Sequence, residues 1–337
     1  AACIACMLTA SLALFASGVS AQVLVVVSEG ADVYGDVARD FARRVRNGDR
    51  NAQLDTIGAR EASRLDPERW RRYALVVTVG VEAARASMPT SASSAAFSTA
   101  RPPTLALLVP RDRFAELAKS ANAERDVRFS AIFIEQPLAR QLDLVALALP
   151  ARTRVGVLLG PTSAGLARDL EEGARAAGLE LRRAQANDAA GVYPALQQVL
   201  MQSDVLLALP DAVAVNAATI RSVLLACHRA EVPVVGFSQA LVDAGALLAV
   251  YSTPPQYARQ AAEIALDVVE RHASLPLPQY PRYFTVGVNF VTAQAIGLAL
   301  DDEATLAAAL AVRARDREKD RARSQASAVP QAAKASP

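Results

Sequence analysis

The chain has 337 residues, a formal net charge of +2 and 52% hydrophobic residues, of which few are aromatic. This length is more than one hydrophobic core usually supports, and the apolar fraction excludes a disordered chain. The balanced charge gives no sign of nucleic-acid binding. Two histidines and three cysteines are too few for a zinc cluster or a disulfide framework, so we predict neither.

Residues 1–21 have the composition of an export signal. They hold no charged side chain, and the apolar run Met7–Ala16 is followed by small residues just before Gln22. A membrane span needs about 20 apolar residues, and Gly18 interrupts this run. We therefore predict a cleaved signal peptide over 1–21 and a periplasmic location. A buried N-terminal helix and a membrane anchor are the alternatives.

From residue 22 to about residue 312, short apolar strands alternate with helical patterns. The predicted strands are Gln22–Val27, Ala74–Val79, Thr104–Val109, Ala131–Ile134, Arg154–Leu159, Leu179–Arg183, Val205–Leu209, Pro233–Phe237, Ala246–Val250 and Tyr283–Val288. Most are near-continuous runs of Val, Leu and Ile, as in parallel strands buried on both faces. The alternation predicts an α/β fold with parallel sheets.

Two helix boundaries are predicted from local signals. Val37, Phe41 and Val45 recur at helical spacing and predict a helix. Gly48 stands at its end, where a C-terminal cap residue in the left-handed conformation is expected. Asp66 before Pro67 has the pattern of an N-cap with proline at the first helical position.

The strand–helix alternation is interrupted over 111–128 and then restarts, which predicts two Rossmann-like lobes joined by a hinge of several strands. The predicted division is lobe 1 over 22–127 plus 251–280, lobe 2 over 128–250 plus 281–312, and a charged tail over 313–337. We predict that this tail is a solvated helical extension that frays into disorder. The alternative for the tail is a basic arm that contacts a membrane or another protein.

Several enzyme signatures are missing from the sequence. It contains no G-x-G-x-x-G after the first strand, no P-loop and no G-x-S-x-G, and both histidines, His228 and His272, fall in or at the end of helical patterns. We therefore predict a protein that is not an enzyme and uses no cofactor.

Polar residues that follow predicted strands are candidates for ligand binding. The loop Gly160–Ser163 could hold an anionic group at a helix N-terminus, although Ser163 could instead cap the helix. Asp211 could pair with a ligand ammonium or cap the next helix. Tyr34, Phe237 and Tyr251 could wall a small ligand or serve only in packing.

The second half of the chain resembles the ABC transporter substrate-binding protein family of the type I periplasmic-binding fold, which includes tryptophan- and tyrosine-binding lipoproteins. The stretches that carry the resemblance are 131–150, 154–161, 203–211, 232–236, 242–247, 258–262 and 288–298. The resemblance implies a two-lobed "Venus-flytrap" monomer, a small ligand, an ABC permease or other membrane protein as partner, and no nucleic acid.

The resemblance also adds candidate site residues. Gly160–Ser163, Asp211, Ser238, Glu135 and Gln136 fall on matching positions. Gly80-Val81-Glu82 replaces the Gly-Thr-Pro common in the first lobe, and Thr253-Pro254 replaces an acidic residue and a tyrosine, so we expect a pocket different from the aromatic amino-acid pocket. The full set of predicted ligand-binding residues is Ser28, Tyr34, Gly80, Val81, Glu82, Glu135, Gln136, Thr162, Ser163, Asp211, Ser238 and Tyr251.

The function that these observations favour is an exported solute-binding protein of an ABC-type uptake system. It would bind an amino acid or a small organic anion between its lobes by hinge closure. The alternative is a sensory or assembly protein that keeps the fold and acts through a membrane or periplasmic protein partner.

Overall fold

A computed structural model describes residues 22–88, 101–121 and 126–332 of the chain. The predicted signal peptide and the last five residues of the predicted tail lie outside the described residues. Across these three described ranges, no helix combines the length and the hydropathy that a membrane crossing requires.

Eleven strands and thirteen α-helices alternate along the described chain. The strands are β1 Gln22–Val27, β2 Gln53–Gly58, β3 Leu75–Val79, β4 Thr104–Val109, β5 Phe129–Phe133, β6 Arg154–Leu159, β7 Glu180–Gln185, β8 Val205–Leu207, β9 Val234–Gly236, β10 Leu248–Tyr251 and β11 Thr285–Val288. The helices are α1 Asp32–Gly48, α2 Ala59–Ala62, α3 Pro67–Trp70, α4 Val81–Ser87, α5 Arg111–Ser120, α6 Leu138–Ala148, α7 Ala167–Ala176, α8 Ala189–Leu200, α9 Ile220–Arg229, α10 Gln239–Asp243, α11 Pro254–Arg271, α12 Phe290–Ala295 and α13 Glu303–Ala332.

The strands form two separate sheets, which confirms the predicted two-lobed α/β architecture. The first sheet is parallel with the order β2-β1-β3-β4-β5. The second has the order β11-β10-β9-β8-β6-β7 and is parallel except for β11, which runs antiparallel to β10. Parallel neighbours require helical crossovers, which explains why helices cover both faces of each sheet.

The strand β2 is absent from the sequence prediction because it is an edge strand. It pairs only with β1, and Gln53, Asp55 and Thr56 are exposed. A strand with one free edge and a partly exposed face lacks the continuous apolar run by which the central strands were recognised.

The strand β5 corrects the predicted boundary between the lobes. Residues from 128 onward were assigned to lobe 2, yet β5 pairs with β4 and belongs to the first sheet. Phe114 of α5 stacks on Phe129 at the start of β5, with ring centroids 4.5 Å apart. The chain therefore crosses to the second sheet only after Phe133.

The core of lobe 1 is closed by a helix that comes late in the sequence. One face of the first sheet packs against α1 and α11, and the other face packs against α2, α3, α4 and α5. Val37, Phe41 and Val45 of α1 are buried in this core, as the helical spacing predicts. Gly48 is not the predicted left-handed cap, because α1 continues through it to Asp49. A Cβ at this position would lie 2.6 Å from Leu266 of α11, so glycine permits the close approach of the two helices.

The core of lobe 2 includes the long C-terminal helix. The second sheet packs against α6, α7 and α13 on one face and against α8, α9 and α10 on the other. Cys227 of α9 is buried in this core, and burial raises the pKa of its thiol to about 12. Leu306 and Leu310 anchor the first turns of α13.

The helix α13 corrects the prediction that the segment from residue 313 is solvated. The helix continues to Ala332, and Arg313 and Arg317 both contact the carboxylate of Asp143 on α6. Arg317 approaches this carboxylate with two nitrogens, at 2.8 and 2.6 Å. Composition alone predicted a solvated segment, because it does not reveal that a buried acid on another helix faces these arginines.

Candidate functional site

Three segments of chain pass between the lobes, and hydrogen bonds tie them together. They follow β5, β10 and α11. Gln136 Nε2 donates to Ser252 Oγ at 2.8 Å, and that hydroxyl donates to the Tyr283 carbonyl at 2.6 Å. Arg140 donates to the Pro281 carbonyl at 2.9 Å. Hydrogen bonds thus join each crossing segment to its neighbour. Together the three segments form the multi-strand hinge that the sequence predicts.

A cleft of about 800 Å³ lies between the lobes beside these crossings. Both lobes and the crossing segments contribute to its lining, and many of the lining residues follow the carboxyl ends of strands. Its apolar surface comes from Val33, Leu108, Pro110, Ile134, Leu138, Leu166, Leu209, Pro210, Phe237, Ala240 and Pro254. Polar and aromatic residues also line the cleft, but most of its exposed surface is apolar, so it suits a ligand with a largely apolar body.

The structure brings five of the predicted site residues together in this cleft. They are Tyr34, Glu135, Gln136, Ser238 and Tyr251. Tyr34 follows β1 in lobe 1, whereas Tyr251 ends β10 and donates a hydrogen bond to Gln239 in lobe 2. Ser238 is the N-cap of α10, where its hydroxyl accepts from the backbone N–H of Leu241.

The predicted residues of the first-lobe turn lie behind the cleft rather than in its lining. Ser28 Oγ accepts a hydrogen bond from the backbone N–H of Ala83 at 2.9 Å, which caps α4. Gly80 has a φ of +89°, and a Cβ there would lie 2.5 Å from Ser28 Oγ and 3.1 Å from the Tyr34 ring. Val81 is partly buried against the core and Glu82 is exposed. This turn therefore positions Tyr34 and does not itself line the cleft.

The carboxylate of Asp211 is also turned away from the cleft. Oδ2 accepts from the backbone N–H and hydroxyl groups of both Thr162 and Ser163, at 2.8 to 3.0 Å. Oδ1 accepts from the N–H groups of Val213 and Ala214. Burial alone would raise the pKa of Asp211, but these donors outweigh it and hold the pKa at about 2. Asp211 thus joins two loops and has no free oxygen for a ligand ammonium.

Some residues of the lining were missed by sequence reasoning. Arg111, Gln141, Tyr257 and Tyr280 all line the cleft. Gln141 and Tyr257 lie near the starts of the two helices that follow the first and second crossing segments. In the sequence they fit the pattern of an ordinary helix, so that pattern does not mark them as site residues. Their position just after a predicted hinge strand was the signal that could have identified them.

Glu135 is the acidic group of the cleft. Its two carboxylate oxygens accept from the backbone N–H of Arg111 at 3.0 and 3.2 Å, while the guanidinium of that residue turns to Asp169. Within the described ranges, no lysine or arginine side chain forms an ion pair with Glu135. Burial beside the cleft raises the pKa of Glu135.

The ion pair between Arg111 of α5 and Asp169 of α7 joins the two lobes at 3.3 Å. Both side chains are about half exposed, so the pair contributes roughly 0.2–1 kcal/mol. We expect Asp169→Asn to shift the population away from this lobe arrangement by at most about fivefold. Small-angle X-ray scattering at low salt should show a larger radius of gyration than in the wild type. Glu171→Gln, which removes a pair within lobe 2, is the control and should leave the radius unchanged; an equal change in both variants would contradict the expectation.

Comparison with known proteins agrees with this architecture. No curated protein matches the chain. Among solved structures, a conserved domain protein from Vibrio cholerae is 19% identical with a TM-score of 0.53, covering 84% of this chain and 96% of that one. An ABC domain in complex with L-Trp from Streptococcus pneumonia is 14% identical with a TM-score of 0.53 and the same coverage. A ligand-free, open substrate-binding protein with adhesive properties from Clostridium difficile is 14% identical, with a TM-score of 0.66 and the same coverage.

At these identities the likeness shows the fold, which is the type I periplasmic-binding fold of two parallel-sheet lobes. The family itself is shown by sequence. A model of the family described as ABC transporter substrate binding protein matches residues 132–312, which is more than half of the chain. The matched region contains all three crossing segments, the whole second sheet and the cleft residues Glu135 and Gln141. This chain therefore belongs to the ABC transporter substrate-binding protein family.

Proposed function

We propose that this protein is the exported solute receptor of an ABC-type uptake system and binds a small ligand in the cleft between its lobes. The observation that carries the proposal is that one cleft is lined by both lobes and by the segments that connect them. A ligand in this cleft touches both lobes at once. The residues proposed to contact it are Tyr34, Glu135, Gln136, Ser238 and Tyr251.

Hinge closure follows from this placement. A ligand that contacts both lobes binds the closed arrangement more tightly than the open one, and so shifts the population toward closure. The hydrogen bonds of Gln136, Arg140 and Ser252 hold the three crossing segments together. We therefore expect these segments to act as the hinge about which the lobes rotate. A membrane permease would then recognise the closed arrangement.

The test is a screen of the purified protein against amino acids and small organic ions. We expect at least one solute to stabilise the protein by about 2.7 kcal/mol at a concentration a hundredfold above its dissociation constant. The same solute should reduce the radius of gyration measured by small-angle X-ray scattering. If no solute produces either effect and a periplasmic or membrane protein co-purifies instead, the sensory or assembly alternative replaces the proposal.

A pair of matched variants locates the binding. Ile134 lies in the cleft and is 45% exposed, whereas Leu225 lies on α9, outside the cleft lining, and is 48% exposed. Ile134→Arg should abolish the ligand response because it fills and charges the cleft, and Leu225→Arg should preserve it. Both variants should retain the unfolding temperature of the free protein, since neither position is buried. A ligand response that survives Ile134→Arg would place binding elsewhere.

A further inference from the structure

A second groove, of about 670 Å³, lies on the surface of lobe 2 between α8 and α9. The described residues that line it are all different from those that line the cleft. Its two sides are rows of side chains at helical spacing, Tyr193, Gln197 and Met201 from α8 and its C-terminal cap, and Ser222, Leu225 and Arg229 from α9. Eight residues of α-helix span roughly 12 Å, so the groove is about that long.

The groove exposes large apolar side chains to solvent. Tyr193, Met201 and Leu225 are all exposed, Met201 to 80%. Among the other large apolar side chains that the structure leaves exposed, Val33 and Ile134 belong to the cleft, where a function is already proposed. Apolar side chains that are grouped on the surface of a soluble protein mark places where another molecule binds. This face of α8 and α9 therefore has the character of an interface.

The charge of this groove has one sign. Arg229 is the charged residue among the described residues of the lining, and it is exposed in the last turn of α9. Neither α8 nor α9 contains an Asp or Glu, and within the described ranges Arg229 and Arg221 of α9 form no ion pair. The neighbouring helix α7 differs, because its Arg168 pairs with Glu172 of the same helix. A partner that covers the groove must therefore bring a carboxylate to match Arg229.

The requirement for a carboxylate excludes two occupants. In a symmetric contact with a second copy, α8 and α9 would face α8 and α9, and neither helix has an Asp or Glu to offer. The parts of the chain outside the described ranges do not fit either. Residues 1–21, 89–100 and 333–337 contain no Asp or Glu, and 122–125 is too short to fill the groove. The occupant is therefore a different molecule.

We propose that the groove between α8 and α9 is the docking site for an amphipathic helix of a partner protein, with apolar residues at helical spacing and an Asp or Glu opposite Arg229. A helix fits because its ridge of side chains can lie between the two rows of the groove. Strand addition is not available there, because the backbone groups of α8 and α9 are bonded within their own helices. This role goes beyond solute binding and is independent of it.

Photochemical cross-linking of the full chain, in the cells that naturally produce it, tests the proposal. The probe is p-benzoylphenylalanine in place of Gln197, which is exposed and lines the groove, and the control has the same probe in place of the exposed Gln198 outside the lining. We expect position 197 to give one main adduct, with the cross-link in a segment that has apolar residues at helical spacing and an Asp or Glu. No adduct, an adduct to a second copy, an equal adduct from position 198, or a segment without acid would overturn the proposal.

Two variants with matched controls test the apolar row and the charge, with a synthetic peptide of the cross-linked segment as the ligand. Met201→Glu and Arg229→Glu should each weaken peptide binding about tenfold or more. The controls are Val291→Glu, also 80% exposed in lobe 2, and Arg175→Glu, in the last turn of α7, and they should stay within about twofold of the wild type.

A charge exchange separates a contact with Arg229 from a general disturbance of the surface. A peptide in which the acid is replaced by Lys should bind the wild type weakly and Arg229→Glu at least as well as the original peptide does. All four substituted positions are exposed, so urea unfolding of the variants should match the wild type. Equal losses in the variants and their controls, or no recovery by the charge exchange, would contradict the proposal. The response of the cleft to its solute should be unchanged in Met201→Glu, so the two functions fail separately.

Discussion

Asp211→Asn is expected to lower the free energy of unfolding by about 3 kcal/mol, which is large for a single polar substitution. The carboxylate is 5% exposed and accepts six hydrogen bonds through its two oxygens. Asparagine keeps one acceptor oxygen, and its amide nitrogen must face donors that formerly met a carboxylate oxygen. At least two buried donors are left unsatisfied whichever way the amide turns. Urea unfolding of the wild type and the variant measures the difference.

Asp188→Asn is the matched control for this substitution. Asp188 is an N-cap of α8 in the same lobe, and its carboxylate accepts a hydrogen bond from the backbone N–H of Gly191 at 2.9 Å. Asparagine caps a helix about as well as aspartate, so we expect a change of no more than about 0.5 kcal/mol. Equal stability losses in the two variants would contradict the claim that the loops at Thr162 and Asp211 depend on the carboxylate.

The same carboxylate gives a pH dependence with a defined sign. Because the folded pKa of Asp211 is about 2 and the ordinary value is 3.8, the folded protein binds this proton less readily than the unfolded chain. Its contribution is therefore complete above pH 4 and is lost as the pH falls toward 2. Asp211→Asn lacks this titration, so the stability difference between wild type and variant should shrink over that range.

The sequence predicts that Asp211 lies in a loop after a strand, but it does not predict which groups its carboxylate contacts. It follows an apolar strand and a proline, as the loop Gly160–Ser163 follows another, which marks both as loops at carboxyl ends. Whether the two loops touch depends on the adjacency of β6 and β8 in the sheet, and β7 separates these strands in sequence. Strand order is set by packing of the whole lobe. The local sequence pattern therefore locates the two loops. It does not show that Thr162 and Ser163 donate hydrogen bonds to the carboxylate of Asp211.

A similar limit applies to the cleft and to the sheet edges. Central strands such as β3 and β4 are buried at every position, so their sequences carry a clear apolar signal. Gln141 carries no such signal, because a buried glutamine within an apolar helix is recognised only when its neighbours in space are known. The fold was thus predictable from burial patterns, whereas the cleft depends on how three crossing segments bring distant residues together.

Among truncations of the chain, the one that ends it after Val312 is expected to cause the largest loss of stability. This change leaves Leu306 and Leu310 in the core and removes only the part that composition marks as a solvated tail. It also removes Arg313 and Arg317 from Asp143, whose side chain is 3% exposed. Removing the partners of a buried charge costs about 3–5 kcal/mol, so we expect a loss of stability of about this size.

A chain that ends after Lys319 is the matched control, since it keeps both arginines and should unfold at the same urea concentration as the full chain. Adding Asp143→Leu to the chain that ends after Val312 should recover most of the lost stability, because the leucine leaves no unpaired charge in the core of lobe 2. A solvated tail would behave differently, since ending the chain at Val312 or at Lys319 would then give equal stability. Unequal stability together with recovery by Asp143→Leu would show that the basic residues at the chain's end stabilise lobe 2 through one buried carboxylate.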